Sequence, residues 1–229
     1  MTYGELAPPA ALAPYVDRFW SSSGGGGRIL PDGCIDIVIE RDGAARIVGT
    51  MTRAIVIPAG GDRVVGVRFR PGAATAFLRI DANELTDTDT ELALPIDPRQ
   101  PRTSLEAWLL ARVPTPSTSV VPHVVARIVA APATPLDELA RTTGYSRQWL
   151  ARMFRRHVGV SPKQLARVAR LQRTLLALHD VPLAQLASAA GYYDQAHMTN
   201  DFSELAGVTP AEARDSVSIF PIRSLYAAP

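Results

Sequence analysis

The sequence of 229 residues predicts an α+β fold, with a β-rich N-terminal domain of the sandwich or barrel type followed by an all-α C-terminal domain. Three observations lead to this prediction. The first hundred residues contain short Val/Ile-rich runs between turn signals, residues 114–122 are rich in Pro, Ser and Thr, and the chain beyond them has helical periodicity throughout. We therefore expect domains over residues 1–113 and 123–215, a linker over 114–122 and a tail over 216–229.

Length and composition restrict the class of protein. A chain of this length with 47% hydrophobic residues can form two domains with buried cores. The sequence contains no apolar run of membrane-spanning length and no signal-peptide pattern, so we expect a cytoplasmic protein without membrane association. Cys34 is the single cysteine, which excludes an internal disulfide and a cysteine-rich zinc site. Four scattered histidines have no metal-ligand spacing, and we expect neither a metal nor a cofactor.

Four runs in the N-terminal part combine β-branched residues with flanking turn residues, which is the pattern of short antiparallel strands. The apolar spacing after Gly72 is helical, as is that of residues 104–113, for which Ser104 is a candidate N-cap. The predicted strands cover residues 34–40, 45–49, 54–58 and 62–70, and the first helix covers residues 73–80.

Beyond the linker every predicted element is a helix, and the breaks fall at glycines or prolines that suit helix ends. This density of short helices indicates a compact all-α domain. The helices are predicted over residues 123–130, 135–142, 146–157, 162–178, 183–189, 194–205 and 210–215.

One motif occurs twice in the helical part. The segments GYSRQWLARMFRRHVGVSP at 144–162 and GYYDQAHMTNDFSELAGVTP at 191–210 share a Gly-aromatic opening, the same apolar spacing and a Gly-Val-hydroxyl-Pro close. Each follows a short helix and contains a longer one, which is the order of a helix-turn-helix. The helix between them is roughly 25 Å long at about 1.5 Å per residue, which suits two recognition helices in successive major grooves about 34 Å apart. The sequence therefore predicts two helix-turn-helix units joined by a linker helix.

The apolar spacing also predicts which side chains of the two longer helices point outward. Leu150, Phe154 and His157 share the inward stripe of the first, and Met198 and Phe202 share that of the second. Outward arginine and glutamine side chains can form paired hydrogen bonds with guanine and adenine. Candidate base contacts are Gln148, Arg152, Gln195, His197, Thr199 and Asn200, and candidate phosphate contacts are Ser146, Arg147, Arg155, Arg156, Lys163 and Thr209.

Charge differs between the two units. Residues 147–173 carry eight basic side chains and no acidic one, which is typical of a surface that binds phosphate. The solvated face of an arginine-rich domain is the alternative interpretation. The second unit instead contains Asp201 and Glu204, which we expect on the flank and on the far side of its recognition helix. We therefore expect the first unit and the linker helix to supply most of the affinity, and the second unit to contribute modest specificity.

A resemblance to a known family rests on three segments, LARTTGYSRQWLARMFRRHVGVSP, ARLQRTLL and LASAAGYYDQAHMTNDFSELAGVTPAEAR. They make residues 123–214 similar to the DNA-binding domain of the AraC/XylS family of bacterial transcription regulators. The stretches PDGCIDIVIE and VVGVRFRPGAA resemble the β-rich input domain of a subset of that family. The resemblance implies a sequence-specific regulator that binds double-stranded DNA, works with RNA polymerase and is controlled through its N-terminal domain. The resemblance does not decide whether the protein forms a homodimer or whether it binds a small-molecule effector.

A different class of function depends on Cys34. The sequence contains neither a phosphate-binding glycine loop nor a Ser/His/Asp arrangement, so we do not expect an enzyme. The alternative is a thiol-dependent repair or alkyl-acceptor protein that is targeted to DNA. No Lys, Arg or His adjoins Cys34 to lower its thiol pKa, which favours a buried strand residue. Arg68, Arg70 and Cys34 are the candidate ligand contacts, with a solvated sheet face or an interdomain contact as the competing interpretation for the two arginines.

Overall fold

The computed structural model describes residues 2–115, 119–215 and 223–226. Within these ranges a β-rich N-terminal domain precedes an all-helical C-terminal domain, which confirms the predicted fold class. No helix in the described ranges is long and apolar enough to cross a membrane.

The strands of the N-terminal domain form an antiparallel six-stranded sheet and a separate two-stranded ribbon. The strands are β1 (Thr2–Leu6), β2 (Val16–Ser23), β3 (Gly25–Ile29), β4 (Asp36–Ile39), β5 (Ala45–Val48), β6 (Ile55–Ala59), β7 (Val64–Phe69) and β8 (Asp89–Leu92). The sheet order is β1-β2-β7-β4-β5-β8, and β3 pairs with β6 in the ribbon. The four predicted strands correspond to β4, β5, β6 and β7.

The sequence did not indicate the other four strands. All five residues of β1 are exposed, β3 begins with three glycines and β8 is mostly polar, so none of them has the apolar alternation of a half-buried strand. Strand β2 runs into a Ser/Gly segment typical of a loop, yet its residues pair with both β1 and β7. Pairing with neighbours decides the conformation of these segments.

Alternation along the central strands gives the sheet two chemically different faces. One face carries buried apolar side chains, including Phe19, Ile37 and Phe69, which form the domain core together with Leu105 and Leu109 of a covering helix. The side chains between them in the sequence point to the opposite face. That face carries Trp20, Asp36, Val38, Arg46, Val48 and Arg68, and it lines a cavity bounded by the ribbon.

Short helices cover the apolar face. They are α1 (Thr75–Leu78), a 3₁₀ turn (Ala82–Glu84) and α2 (Pro101–Leu110). Helix α2 begins three residues before the predicted start, with Pro101 in its first turn, so the assignment of Ser104 as the N-cap was wrong. The Ser104 hydroxyl instead accepts a hydrogen bond from the backbone N–H of Asp97 at 3.2 Å.

The helices of the C-terminal part follow the sequence prediction closely. They are α3 (Val121–Ala130), α4 (Leu136–Thr143), α5 (Arg147–Val158), α6 (Pro162–Ala177), α7 (Leu183–Ala189), α8 (Gln195–Ala206) and α9 (Pro210–Asp215), with a short α10 (Arg223–Tyr226) in the predicted tail. Helix α3 begins at Val121, inside the predicted linker. Residues 116–118 of that linker and residues 216–222 and 227–229 of the tail lie outside the described ranges.

The two domains are in extensive contact. Leu30, which follows β3, is buried in the apolar cluster of α6, α7 and α8. The backbone N–H of Ala54 donates to the carbonyl of Leu205 at 2.8 Å, and the Thr50 hydroxyl donates to the carbonyl of Val158 at 2.6 Å. The N-terminal domain therefore contacts the C-terminal ends of both α5 and α8. Tyr226 of α10 adds to this contact, since its hydroxyl donates to the backbone carbonyl of Asp32 at 2.6 Å.

Candidate nucleic-acid interface

The first helix-turn-helix unit consists of α4, a tight turn and α5. Gly144 ends α4 with a φ of 74°, a left-handed conformation that glycine adopts without strain. Ser146 then caps α5, because its hydroxyl accepts a hydrogen bond from the backbone N–H of Trp149 at 3.2 Å. Tyr145 also lies in this turn, and its ring stacks on Trp149 with the ring centroids 3.9 Å apart.

Helix α5 buries one stripe and exposes the other. Leu150, Phe154 and Val158 are fully buried in a cluster with α3, α4 and the start of α6. The opposite side carries basic and amide side chains, as the apolar spacing predicted. The exposed residues of this side are Arg147, Gln148, Arg152 and Arg155. Of these, Arg147 also contacts Asp137 of α4, with 3.1 Å between Nε and Oδ1.

The second unit repeats this construction with α7 and α8. Gly191 has a φ of 85°, and the Asp194 carboxylate caps α8 by accepting from the backbone N–H of His197 at 2.7 Å. Met198, Phe202 and Leu205 are fully buried. The exposed side of α8 carries Gln195, Ala196, Asn200 and Glu204, so it is polar and has no lysine or arginine.

Several predicted contact residues are engaged inside the domain. The Thr209 hydroxyl forms a capping box at the start of α9 with Glu212, donating to its carboxylate at 2.8 Å and accepting from its backbone N–H at 3.3 Å. The His197 ring packs edge-on against Tyr192 and lies 3.8 Å from an Asp201 carboxylate oxygen. The Thr199 hydroxyl donates to the backbone carbonyl of Gln195 at 2.9 Å. These side chains are less available to DNA than their positions in the sequence suggested.

The C-terminal end of α5 faces the N-terminal domain. Arg156 forms an ion pair with Asp81 beside the 3₁₀ turn, with 3.0 Å between Nε and Oδ1. The imidazole of His157 lies 3.2 Å from the Thr75 hydroxyl, and burial together with the Arg156 charge lowers the pKa of His157. The Nε atom of Arg156 is therefore directed toward the N-terminal domain.

The expectation for Asp201 was wrong. Asp201 does not lie on the flank of the recognition face. The residue is only 6% exposed, and its carboxylate faces the linker helix α6. It accepts from Arg167 Nε at 2.8 Å and from Arg170 Nη2 at 3.3 Å. Glu204 also binds Arg167, with 2.6 Å between its Oε2 and Nη2. Both acids therefore neutralise arginines of α6 instead of opposing phosphate.

This network could have been found from the sequence. Residues 198, 201, 202 and 205 are spaced i, i+3, i+4 and i+7, so Asp201 shares the inward stripe with Met198 and Phe202. A carboxylate on an inward stripe requires a cation, and α6 has arginines at positions 167 and 170. With Arg147, which pairs with Asp137, three of the eight basic residues that indicated phosphate binding thus have carboxylate partners within the domain. Lys163, in the first turn of α6, is exposed.

The candidate ligand residues of the N-terminal domain lie in different environments. Arg68 is neither solvated nor in an interdomain contact, because its guanidinium lies 3.5 Å from Asp32, 3.5 Å from Glu5 and 3.9 Å from Asp36. The Arg70 Nε donates to the backbone carbonyl of Ala13 at 2.9 Å and holds a loop. These contacts make neither arginine a ready site for an anion.

Cys34 is 3% exposed, and its backbone N–H donates to Asp32 Oδ1 at 2.8 Å. Burial and the neighbouring Asp32 carboxylate raise the pKa of the thiol well above its usual value. A thiol that stays protonated is a poor nucleophile. In the described part of the chain no group of three or more His, Cys, Asp or Glu side chains could hold a metal ion.

Two family models match the chain. One is described as a helix-turn-helix domain and matches residues 139–216, which cover the second unit and all but the first three residues of the first. The other is described as a domain of unknown function (DUF6597) and matches residues 4–91.

Curated relatives match over the same C-terminal part. An uncharacterized HTH-type transcriptional regulator of Haemophilus influenzae is 31% identical over 86 residues, which are 37% of this chain and 29% of that protein. The HTH-type transcriptional regulator GlxA of Rhizobium meliloti is 34% identical over 95 residues, which are 40% of this chain and 29% of that protein. The matched region is therefore under a third of each relative.

Solved structures resemble either one domain or the whole chain. The C-terminal domain of AraT, a response regulator from Geobacillus stearothermophilus, covers 46% of this chain and 92% of its own, with 22% identity and a TM-score of 0.43. ToxT from Vibrio cholerae covers 92% of this chain and 99% of its own, with 8% identity and a TM-score of 0.48. The repeated motif, the two capped turns and the family-model match together show that the C-terminal part of the chain is a helix-turn-helix domain.

Proposed function

We propose that this protein is a transcription regulator that binds a specific double-stranded DNA sequence in two successive major grooves. The observation that carries the proposal is the tandem arrangement, in which α5 and α8 each follow a capped turn and each expose a polar side. Helix α6 joins them and is about 24 Å long, from 16 residues at about 1.5 Å each. That length suits grooves one helical turn apart.

The first unit would supply direct readout and most of the phosphate attraction. Arg152 and Gln148 are exposed near the middle and the start of α5, where guanidinium and amide groups can pair with guanine and adenine. Arg147, Arg155 and Lys163 are exposed around them and would contact the backbone. Arg156 is left out of this set because its partner Asp81 belongs to the N-terminal domain, whereas Arg147 is paired with Asp137 inside the first unit itself.

The second unit would contribute specificity with little net charge. Gln195 and Asn200 are exposed on α8 and have amide groups suited to adenine. Counterion release depends on the number of cations that contact phosphate, so this unit should add little to the salt dependence of binding. The division of labour between the units thus follows from the absence of lysine and arginine on α8, and no repulsion by Asp201 is involved.

The proposed regulator acts without catalysis, in the cytoplasm, and in contact with RNA polymerase at the promoter. Control through the N-terminal domain is supported by the contacts of that domain with the ends of α5 and α8. A small-molecule effector and a homodimer are compatible with this scheme. The alternative of a thiol-dependent repair protein is disfavoured by the burial and raised pKa of Cys34.

The test begins with selection of a binding site from random double-stranded DNA. Binding of the selected site is then measured by fluorescence anisotropy at two salt concentrations. Arg152→Ala should cost about 1–3 kcal/mol on that site and relax the preference at one base. Lys163→Ala should weaken binding to all sequences and reduce the salt slope by about one unit.

Arg102→Ala is the matched control, because it removes an exposed arginine from α2 of the N-terminal domain. It should leave both the affinity and the salt slope unchanged. The proposal fails if no preferred sequence is selected, or if Arg152→Ala and the control behave alike.

A further inference from the structure

The N-terminal domain contains a cavity of about 1080 Å³ between the second face of the sheet and the β3–β6 ribbon. This volume is suited to a drug-sized molecule. Much of its wall is apolar, and the ribbon contributes Ile29, Ile55 and Ile57, which are 43%, 45% and 37% exposed. Exposed isoleucines next to one another on a concave surface are unfavourable in water. A ligand with an apolar body would cover them.

The sheet side of the cavity has an excess of negative charge. Glu5, Asp32 and Asp36 surround the single guanidinium of Arg68, and none of the three ion-pair distances is below 3.5 Å. Asp32 and Asp36 are well buried, with side chains 7% and 16% exposed. Over the whole lining, eight carboxylates accompany four guanidinium groups. The cavity therefore has carboxylates that its own arginines do not neutralise.

Aromatic side chains lie beside these carboxylates. Trp20 Nε1 donates to Asp36 Oδ1 at 2.6 Å, and the ring of Tyr3 stacks on Trp20 with the centroids 6.4 Å apart. Gly66 makes this arrangement possible, because the indole lies against its Cα where a Cβ would overlap the ring. Aromatic faces next to carboxylates are the combination that recognises ammonium and related cations.

The pKa of Asp36 agrees with this electrostatic description. Burial raises the pKa of the Asp36 carboxyl to about 7, and the nearby Arg68 offsets that effect only in part. A bound cation would stabilise the ionised carboxylate, whereas a bound anion would add to the repulsion.

We propose that this cavity binds an organic cation with an apolar body, and that its occupation acts on the second helix-turn-helix unit through Leu30. The cationic group would lie near Asp36, Asp32 and Trp20, and the apolar body would lie against the isoleucines of the ribbon. The regulatory consequence rests on the proposed function in DNA binding, whereas the binding site itself does not.

The route to the second unit consists of residues that belong to both the cavity and the interface. Leu30 lines the cavity and is also buried in the cluster that contains Leu205. Arg28 lines the cavity too, and its Nη1 would lie 2.8 Å from a Cβ at Gly207. Ala54, which donates to the Leu205 carbonyl, lies next to the lining residue Ile55. A ligand that moves the ribbon would thus act on the C-terminal end of α8.

The binding test uses two probes of the same shape and opposite charge, tetraphenylphosphonium and tetraphenylborate, in a potassium-free buffer. Binding to the full chain is measured by isothermal titration calorimetry. Tetraphenylphosphonium should bind, and tetraphenylborate should bind at least about tenfold more weakly. A tenfold change in affinity represents 1.4 kcal/mol, and the interaction energy of a unit charge with nearby carboxylates in a partly buried site is well over that. Equal binding of the two probes, or no binding of tetraphenylphosphonium, would overturn the proposal.

Variants locate the site. Asp36→Asn should weaken tetraphenylphosphonium binding about tenfold or more. Glu5→Gln, on the exposed edge strand β1, should weaken tetraphenylphosphonium binding by a smaller factor. This variant provides a second test of the site if Asp36→Asn does not fold. Glu91→Gln removes a carboxylate of the same domain that does not line the cavity, and it should bind as the wild type does. Unchanged binding in both cavity variants would contradict the assignment.

The coupling is measured without DNA, by hydrogen exchange of the backbone amides. Addition of tetraphenylphosphonium should change exchange in residues 51–57 and at the end of α8, near residues 203–207. A change confined to the ribbon would refute the route through Leu30, even if the probe binds. Since no DNA is present, failure of this experiment is distinct from failure of the proposed DNA-binding function.

Discussion

The clearest consequence of the structure concerns Asp201, which we predicted at the edge of a DNA-binding face and which is buried instead. Its side chain is 9% exposed and lies between Arg167 and Arg170, which are 16% and 12% exposed. Replacing Asp201 with Ala would remove the carboxylate of Arg170 from a poorly hydrated site and leave Arg167 with the exposed Glu204 alone. Removal of one partner from a buried ion pair costs about 3–5 kcal/mol, and the residual exposure of the arginines argues for the lower end. That is a large fraction of the 5–15 kcal/mol that stabilises typical domains.

Glu204→Ala is the matched control for this prediction. Glu204 binds the same Arg167 at 2.6 Å, but its side chain is 64% exposed. Hydration screens such a pair, so its loss should cost less than about 1 kcal/mol. Both variants are compared with the wild type by urea denaturation followed by far-UV circular dichroism at neutral pH. We expect a difference of about 2 kcal/mol or more between the two variants.

Asp201→Arg separates the two descriptions of this residue most sharply. A flanking position would make the variant stable and increase its affinity for all DNA through phosphate attraction. The buried position predicts a third cation beside Arg167 and Arg170, with loss of stability and of specific binding. Retained stability together with tighter DNA binding would refute the reasoning, as would equal effects of Asp201→Ala and Glu204→Ala.

Three further predictions concern the N-terminal domain. Gly66→Ala should destabilise the protein by roughly 1–3 kcal/mol and shift the tryptophan fluorescence, because the new Cβ displaces Trp20; an unaltered spectrum and melting temperature would contradict this. Cys34 should resist iodoacetamide in the folded protein and react once urea unfolds it, since it is buried and its thiol pKa is raised; rapid alkylation of the folded chain, followed by intact mass, would revive the thiol-dependent alternative. Burial raises the pKa of Asp36 from an ordinary value of 3.8 to about 7, so the folded protein binds this proton more tightly and loses stability as the pH rises between these two values. The free energy of unfolding of Asp36→Asn should therefore rise by roughly 2–3 kcal/mol relative to that of the wild type between about pH 5 and pH 8, measured by urea denaturation. A pH-independent difference would show that the carboxyl titrates normally.

The sequence by itself determined the C-terminal domain almost completely. Glycine C-caps, hydroxyl N-caps and apolar stripes are local signals, and they fixed the helices from α4 to α9 to within one residue or so. The repeat of one motif identified the tandem units and, with them, the exposed sides of α5 and α8. These features depend on residues within a few turns of one another, which is why no tertiary information was needed.

Some side-chain contacts of the candidate interface could not be predicted from local sequence signals. The side chains of Arg156 and Arg167 are polar and lie at positions compatible with DNA contact, yet their partners Asp81 and Asp201 are distant in sequence. His197, by contrast, contacts Asp201 four residues further along the same helix. For Asp201 the spacing did contain the information, but a charged residue on an apolar stripe is meaningful only once a partner of opposite charge is known.

The N-terminal domain was determined mainly by tertiary structure. Strands β1, β3 and β8 have no burial pattern of their own, and their backbones find hydrogen-bond partners only when strands β2, β6 and β5 lie beside them. The cavity likewise exists because the glycine-rich β3 and distant β6 form a ribbon over the polar face of the sheet. The sequence specified which residues could be buried or charged, but the long-range pairing of strands decided which of them face one another, since register and sheet order are not local properties.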